Sequence, residues 1–190
     1  MSSPVGGRSE SNALRAYTDA LQWALNAFAE NVFLIRSRFD PGIAAYALDL
    51  AGRDVVELRD AGGEPCLALS IQLFCRIVRL PGTPRRWTTH TTKYLYRLED
   101  PADPRRRIVA CHWHPDVEGI TFPHIHPLVA SPEAQRLHYT IPHATLKDVL
   151  TFAMRDYGVR PIRTDWQAAH RAADETPQAS LRSTAGLSSP

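Results

Sequence analysis

The sequence predicts an α+β domain: an antiparallel β-meander with an N-terminal helix and C-terminal helices packed on one face. Three observations carry that prediction. Apolar residues recur at spacings of three and four between Leu14 and Phe28, they do so again between Leu146 and Met154, and the stretch between is rich in short alternating runs separated by turn signals. A chain of 190 residues and 21.2 kDa suits one domain with modest tails. Such a length buries a core that stands without disulfides.

The elements follow in order. Residues 1–11, rich in Ser and Gly, are expected to be a disordered tail. The domain is expected to span 12–173, with a second tail over 174–190 where Ser, Thr, Ala and Pro follow no period. Leu14, Tyr17, Leu21, Leu25 and Phe28 predict a helix, with Ser11 as its cap and an end near Asn31. Asp40-Pro41-Gly42 breaks the chain, and Ile43 to Leu50 fits either a short helix or a strand. Val55 to Leu58 reads as a strand and Asp60 to Gly63 as a turn. Leu67 to Leu80 then alternates until Pro81-Gly82. Thr88 to Leu98 places Tyr94, Tyr96 and Leu98 on one face and Lys93, Leu95 and Arg97 on the other. Asp100 to Pro104 turns the chain, and Ile108 to His114 returns as the second arm of a hairpin. Two short strands follow, over 124–129 and 136–141. Thr145 opens a helix that Gly158 ends, and a short helix is expected over 165–172.

Cys66, Cys75 and Cys111 are odd in number and form no CxxC pair, so they read as reduced thiols rather than a disulfide framework or zinc ribbon. Cys111 reads as a core residue. The first residues lack the apolar segment of a secretion signal, and the run from Cys66 to Leu80 is too short and too polar to span a bilayer. The expected location is the cytoplasm, with no membrane partner.

Six of the 8 histidines lie between residues 112 and 143: His112, His114, His124, His126, His138 and His143. Two pairs have the form His-x-His, and on a strand residues i and i+2 share a face. If the two strands are neighbours, His112, His114, His124 and His126 converge. Ile125 is expected to point into the core and leave both flanking imidazoles outside, with Trp113 a second core anchor. Three chemistries suit the cluster. It can bind one divalent ion, Zn²⁺ or Mn²⁺, with a position left for water. It can act as a metal-free acid and base. It can hold a phosphate beside arginine. Asp116 or Glu118 is a candidate for orienting a histidine. Against all three stands a structural role, in which histidines near proline only fix turns.

Between residues 76 and 107 stand Arg76, Arg79, Arg85, Arg86, Lys93, Arg97, Arg105, Arg106 and Arg107, nine cations against Glu99, Asp100 and Asp103, a local excess of +6. Such a stretch attracts phosphate, and Trp87, Tyr94 and Tyr96 are candidate stacking faces. Solubility of hairpin edges accounts for arginine there equally well.

The Tyr94-Leu95-Tyr96 strand, the returning strand to His112-Trp113-His114, the run Pro123-His124-Ile125-His126 and the helix from Thr145 together resemble a small bacterial domain, similar in layout to the TumE-type toxins of toxin–antitoxin pairs. The resemblance covers residues 88–158 and implies an RNA-directed activity and a cognate antitoxin protein; it carries no catalytic residues with it. His124-Ile125-His126 is also similar to the metal-binding triplet of replication-initiator and transposase nucleases, which need a tyrosine nucleophile; Tyr157 is the candidate here. His90-Thr91-Thr92 and His138-Tyr139-Thr140 are similar in form to the triplets of two-histidine phosphoesterases, though their spacing and flanks fit poorly.

No glycine-rich phosphate loop, Gly-x-Ser-x-Gly elbow or His-Glu-x-x-His occurs. The leading expectation is therefore a small phosphodiester hydrolase, ribonuclease-like, in a toxin or defence setting. His112, His114, His124 and His126 would bind metal or exchange protons, and Arg97, Arg106 and Arg107 would hold phosphate, with RNA favoured over DNA. The alternative is a non-enzymatic binding module or partner protein whose histidines are structural.

Overall fold

The computed structural model describes residues 7–40, 45–50, 55–80, 86–116, 120–127 and 138–174. They form the expected α+β layout: an N-terminal helix, a mostly antiparallel sheet and C-terminal helices. The order is α1 (Glu10–Asn26), β1 (Leu34–Arg36), β2 (Tyr46–Leu50), β3 (Val56–Arg59), β4 (Pro65–Arg79), β5 (Trp87–Asp100), β6 (Asp103–Trp113), β7 (His124–Pro127), β8 (Tyr139–Thr140), α2 (Leu146–Tyr157) and α3 (Trp166–Asp174). The strands make one 8-stranded sheet in the order β1-β2-β4-β5-β6-β7-β8, with β3 pairing the first half of β4. All the pairings described are antiparallel.

The first helix begins earlier than its spacing suggests, at Glu10. Ser9, not Ser11, caps α1, its hydroxyl accepting from the Asn12 amide at 3.2 Å. Gly7 exchanges two backbone hydrogen bonds of 2.9 Å with Trp87. The approach is so close that a Cβ on Gly7 would lie 2.4 Å from the Ala13 nitrogen, which only glycine avoids. The ambiguous segment resolves as strand over Tyr46–Leu50; its first residues, 43 and 44, lie outside the described ones. Thr145 closes a capping box with Asp148, and Gly158 ends α2 in the left-handed region at φ 71°.

The alternation read in β5 sets the two faces of the sheet. Tyr94, Tyr96 and Leu98 are buried with Leu69, Leu73 and the apolar faces of α1 and α2. Tyr17 of α1 ties the layers with a buried hydroxyl bond of 2.8 Å to Thr91. Lys93, Leu95 and Arg97 occupy the opposite face, in register with the histidine strands. This removes Tyr94 and Tyr96 as stacking platforms, because they are core residues, and Trp87 is covered by the Arg79 guanidinium at 4.9 Å. Cys75 is buried, Cys66 and Cys111 are half-buried, and all three are free thiols. Burial pushes the Cys75 thiol up to about 12 and the Cys111 thiol up to about 11, so neither is a nucleophile at neutral pH. Among the described residues no helix is long and apolar enough to cross a membrane.

Candidate metal centre

Pairing of β6 with β7 builds the site. In the register His112 faces His124 and Ala110 faces His126, so the two His-x-His runs lie side by side. Side chains two apart on a strand share a face, and neighbouring strands stand about 4.8 Å apart, which brings imidazoles into contact. His112 and His124 have ring centroids 5.4 Å apart, His112 and His126 4.8 Å, and His124 and His126 5.0 Å. One ligand nitrogen from each of these three lies within 4.8 Å of the others. His114 adds a ring 5.1 Å from His124, on the side toward Pro115.

A fifth imidazole completes the group. His138, just before β8, has its ring 4.3 Å from His126 and 4.8 Å from His124. The sequence counted His138 within the cluster but did not place it at the site. Its own strand carries a single His-x-Thr, and only the pairing of His124 with Thr140 sets it beside His126. His143 goes the other way: it packs edge-on against Trp113 at 4.2 Å and near Tyr94, on the helix side.

Burial differs from the expectation of two outward imidazoles. His124 is 0% exposed, because the rings of His112, His114, His126 and His138 close over it. Its Nδ1 is 3.0 Å from the Phe122 carbonyl, a contact in which nitrogen must donate, leaving Nε2 as the lone-pair atom. That Nε2, the Nε2 of His112 and the Nδ1 of His114 are buried without a hydrogen-bond partner. Burial, then the neighbouring imidazoles and Arg107, lowers His112 to about 3. Burial also lowers His124, against the opposing bond to Phe122 and with further lowering from His138 and His114. Both rings are therefore neutral near pH 7, the form that binds metal.

The sign of the pH effect follows. In the unfolded chain His112 takes up its proton below about pH 6.5, whereas in the fold it resists until about 3. Unfolding thus absorbs a proton between these values, and the fold loses stability as pH falls through that window. We expect the metal-free protein to keep a constant Tm above about pH 7 and to lose it steadily toward pH 4. His112→Phe should flatten this slope; an unchanged slope would show that His112 is not held neutral.

The other candidates separate. Arg97 shares the histidine face; its Nε donates to Ser70 Oγ at 3.1 Å and stands 3.9 Å from the buried Glu99 carboxylate. Arg107, in register with Glu99, is near enough to His112 to oppose its protonation. Arg106 instead pairs with Asp100 at 3.1 Å at the hairpin end and is not brought to the cluster. Asp116 is taken by an ion pair with Lys93 and orients no histidine, while Glu118 lies outside the described residues. Tyr157 packs on Phe152 at the end of α2, across the sheet from the imidazoles, so the tyrosine-nuclease arrangement is not formed. His90 lies on β5 beside Arg76, with β6 and β7 between it and β8, so the two His-x-Thr triplets do not meet.

Fold and site together define an α+β sheet protein with helices on one face and a metal-competent imidazole cluster on the other. No protein-family model, curated protein or solved structure matches the chain.

Proposed function

We propose that this protein is a metal-dependent phosphodiester hydrolase, with a divalent ion held by His112, His124 and His126 and phosphate held by Arg97 and Arg107. One observation carries the reading: three converging imidazoles, two of which keep a buried Nε2 without a hydrogen-bond partner. Buried polar atoms are nearly always satisfied, and one cation at this point satisfies both. The three ligand nitrogens lie within 4.8 Å of one another, and imidazole nitrogen is a ligand that zinc would take. The donors are all nitrogen, because Asp116 is held by Lys93 and Glu99 lies against Arg97. That set favours zinc over manganese, which prefers oxygen.

A bound ion supplies Lewis acidity and an activated water. The chain's own part is to place the phosphate. Arg97 and His126 flank Ala110 in register, two strand spacings apart, or roughly 10 Å. Ala110 between them is fully buried, and Arg107 is near enough to His112 to oppose its protonation. Arg97 and Arg107 would hold a phosphate beside the imidazole cluster, where a bound ion would supply the Lewis acid. RNA as the substrate, and an antitoxin protein as the partner, rest on the TumE-like layout of residues 88–158 alone.

The test is hydrolysis of labelled RNA, labelled DNA and bis(p-nitrophenyl) phosphate by zinc-loaded protein. We expect cleavage, with RNA preferred, and a fall of about 10²-fold or more in Arg97→Ala/Arg107→Ala. Cleavage that persists in His124→Ala/His126→Ala would sink the proposal. The tight ring packing around His124 favours the second reading, a binding module with structural histidines. Failure of zinc to bind would select it.

A further inference from the structure

The rings that the sequence offered for stacking, Trp87, Tyr94 and Tyr96, are taken by Arg79 and by the core. A different ring stands beside the imidazoles. Phe122 precedes β7 by two residues, is 38% exposed, and has its ring centroid 6.0 Å from that of His124, edge to face at 78°. A lone exposed phenylalanine carries no meaning by itself. What sets this one apart is how its backbone is held. Three consecutive carbonyls accept hydrogen bonds: Thr121 from Trp113 Nε1 at 3.2 Å, Phe122 from His124 Nδ1 at 3.0 Å, and Pro123 from the Ile141 amide at 3.0 Å. The segment is thus tied to β6, to β7 and to the residue after β8. The backbone that carries the ring is fixed before any ligand arrives, so little is lost to ordering it on binding.

The position along the strands matters as much. β6 runs from Arg107 past Ala110 to His112, and β7 returns from His124, opposite His112, to His126, opposite Ala110. The residues before His124 therefore extend past His112, away from Arg97 and Arg107. Read along the strands, the order is guanidinium, imidazole, phenyl. A nucleic-acid strand alternates anionic phosphates, which guanidinium and a bound ion take, with flat bases, which an aromatic ring takes. Inside a duplex the neighbouring bases cover both faces of each base. Only an unpaired base has a face to give.

Resting on the hydrolase reading above, we propose that Phe122 is its base-stacking residue, and that the substrate is a single strand whose unpaired base lies on this ring while its phosphate lies at the imidazole cluster. A phenyl ring accepts any base, so Phe122 selects for strandedness and not for sequence. Its carbonyl serves His124 and its side chain serves the substrate, so substitution separates the two roles.

The first arm of the experiment is calorimetric titration of zinc-loaded, full-length protein at pH 7 with adenosine monophosphate and with ribose 5-phosphate, one phosphomonoester with a base and one without. Adenosine monophosphate should bind about tenfold more tightly. Phe122→Ala should abolish that difference and leave ribose 5-phosphate binding as it was, and Phe122→Trp should keep it. Both variants should retain their zinc, because the carbonyl and not the ring bonds His124; thermal unfolding checks that they fold. The second arm is the initial cleavage rate of a short RNA, free and annealed to its complement. The free strand should be cut about tenfold faster, and Phe122→Ala should slow it alone. Equal binding of the two probes to the wild type, or a preference that survives Phe122→Ala in a folded protein, would overturn the stacking residue and leave the hydrolase reading standing. So would a duplex cut as fast as the free strand. Failure of both ribose 5-phosphate and inorganic phosphate to bind the zinc-loaded wild type would overturn the hydrolase reading, and this inference with it.

Discussion

Replacing His124 and His126 together with alanine is expected to take zinc content from about one equivalent to none while the fold persists. Two of three ligand nitrogens are lost, and His112 alone cannot hold the ion against bulk water. The fold should persist because the deleted rings contact mainly one another and the helix layer is on the other face. Removing the fully buried His124 leaves a void, with a cost of about 1–3 kcal/mol in the metal-free protein. The diagnostic comparison is therefore the zinc-induced rise in Tm, which should be present in the wild type and absent in the variant. Elemental analysis beside circular dichroism measures both. A variant that still carries its equivalent of zinc, or a wild type that takes none after reconstitution, would overturn the metal centre. His126→Ala by itself should weaken binding less, because His112 and His124 keep two unpartnered nitrogens.

Leu73→Ala should cause the largest loss of stability without touching the site. Leu73 is 0% exposed, at the middle of β4, opposite Leu48 on one neighbour and Tyr94 on the other, all within the core. Truncating a buried leucine costs roughly 2–5 kcal/mol, the spread reflecting how far the surroundings close the void. Denaturant unfolding should show a lower midpoint at an unchanged slope. Zinc affinity, measured below the new transition, should stay within about a factor of two, because strand alternation turns Leu73 away from the histidine face. A loss under about 1 kcal/mol would contradict the assigned sheet face. Loss of zinc binding in the folded variant would show that the two faces are coupled.

The two-period and helical-period patterns were readable because they depend only on which residues must leave water. Leu14, Tyr17, Leu21 and Leu25 mark α1, and Tyr94, Tyr96 and Leu98 mark the inner face of β5, without knowledge of any partner. The convergence of the His-x-His pairs was readable for the same reason, once their strands were taken as neighbours. Other features depended on contacts between distant parts of the chain. Tyr94 and Tyr96 are as aromatic as a stacking platform needs to be, and only their placement beneath α1 and α2 makes them core. Arg106 and Arg107 are adjacent in sequence, yet one is held by Asp100 and the other lies near His112.

By itself, then, the sequence determined the α+β class, the inner and outer faces of its strands, the caps of α2 and the presence of a shared imidazole face. These follow from backbone geometry and local burial, which repeat every two or every 3.6 residues. The tertiary structure alone decided that His138 joins the group, that His124 is sealed beneath its neighbours and that Asp116 serves Lys93 instead of a histidine. It alone decided, too, that α2 leaves a hollow behind the histidine strands. Those outcomes depend on the register of β6, β7 and β8 and on how far three helices extend across eight strands, and neither is encoded by any local period.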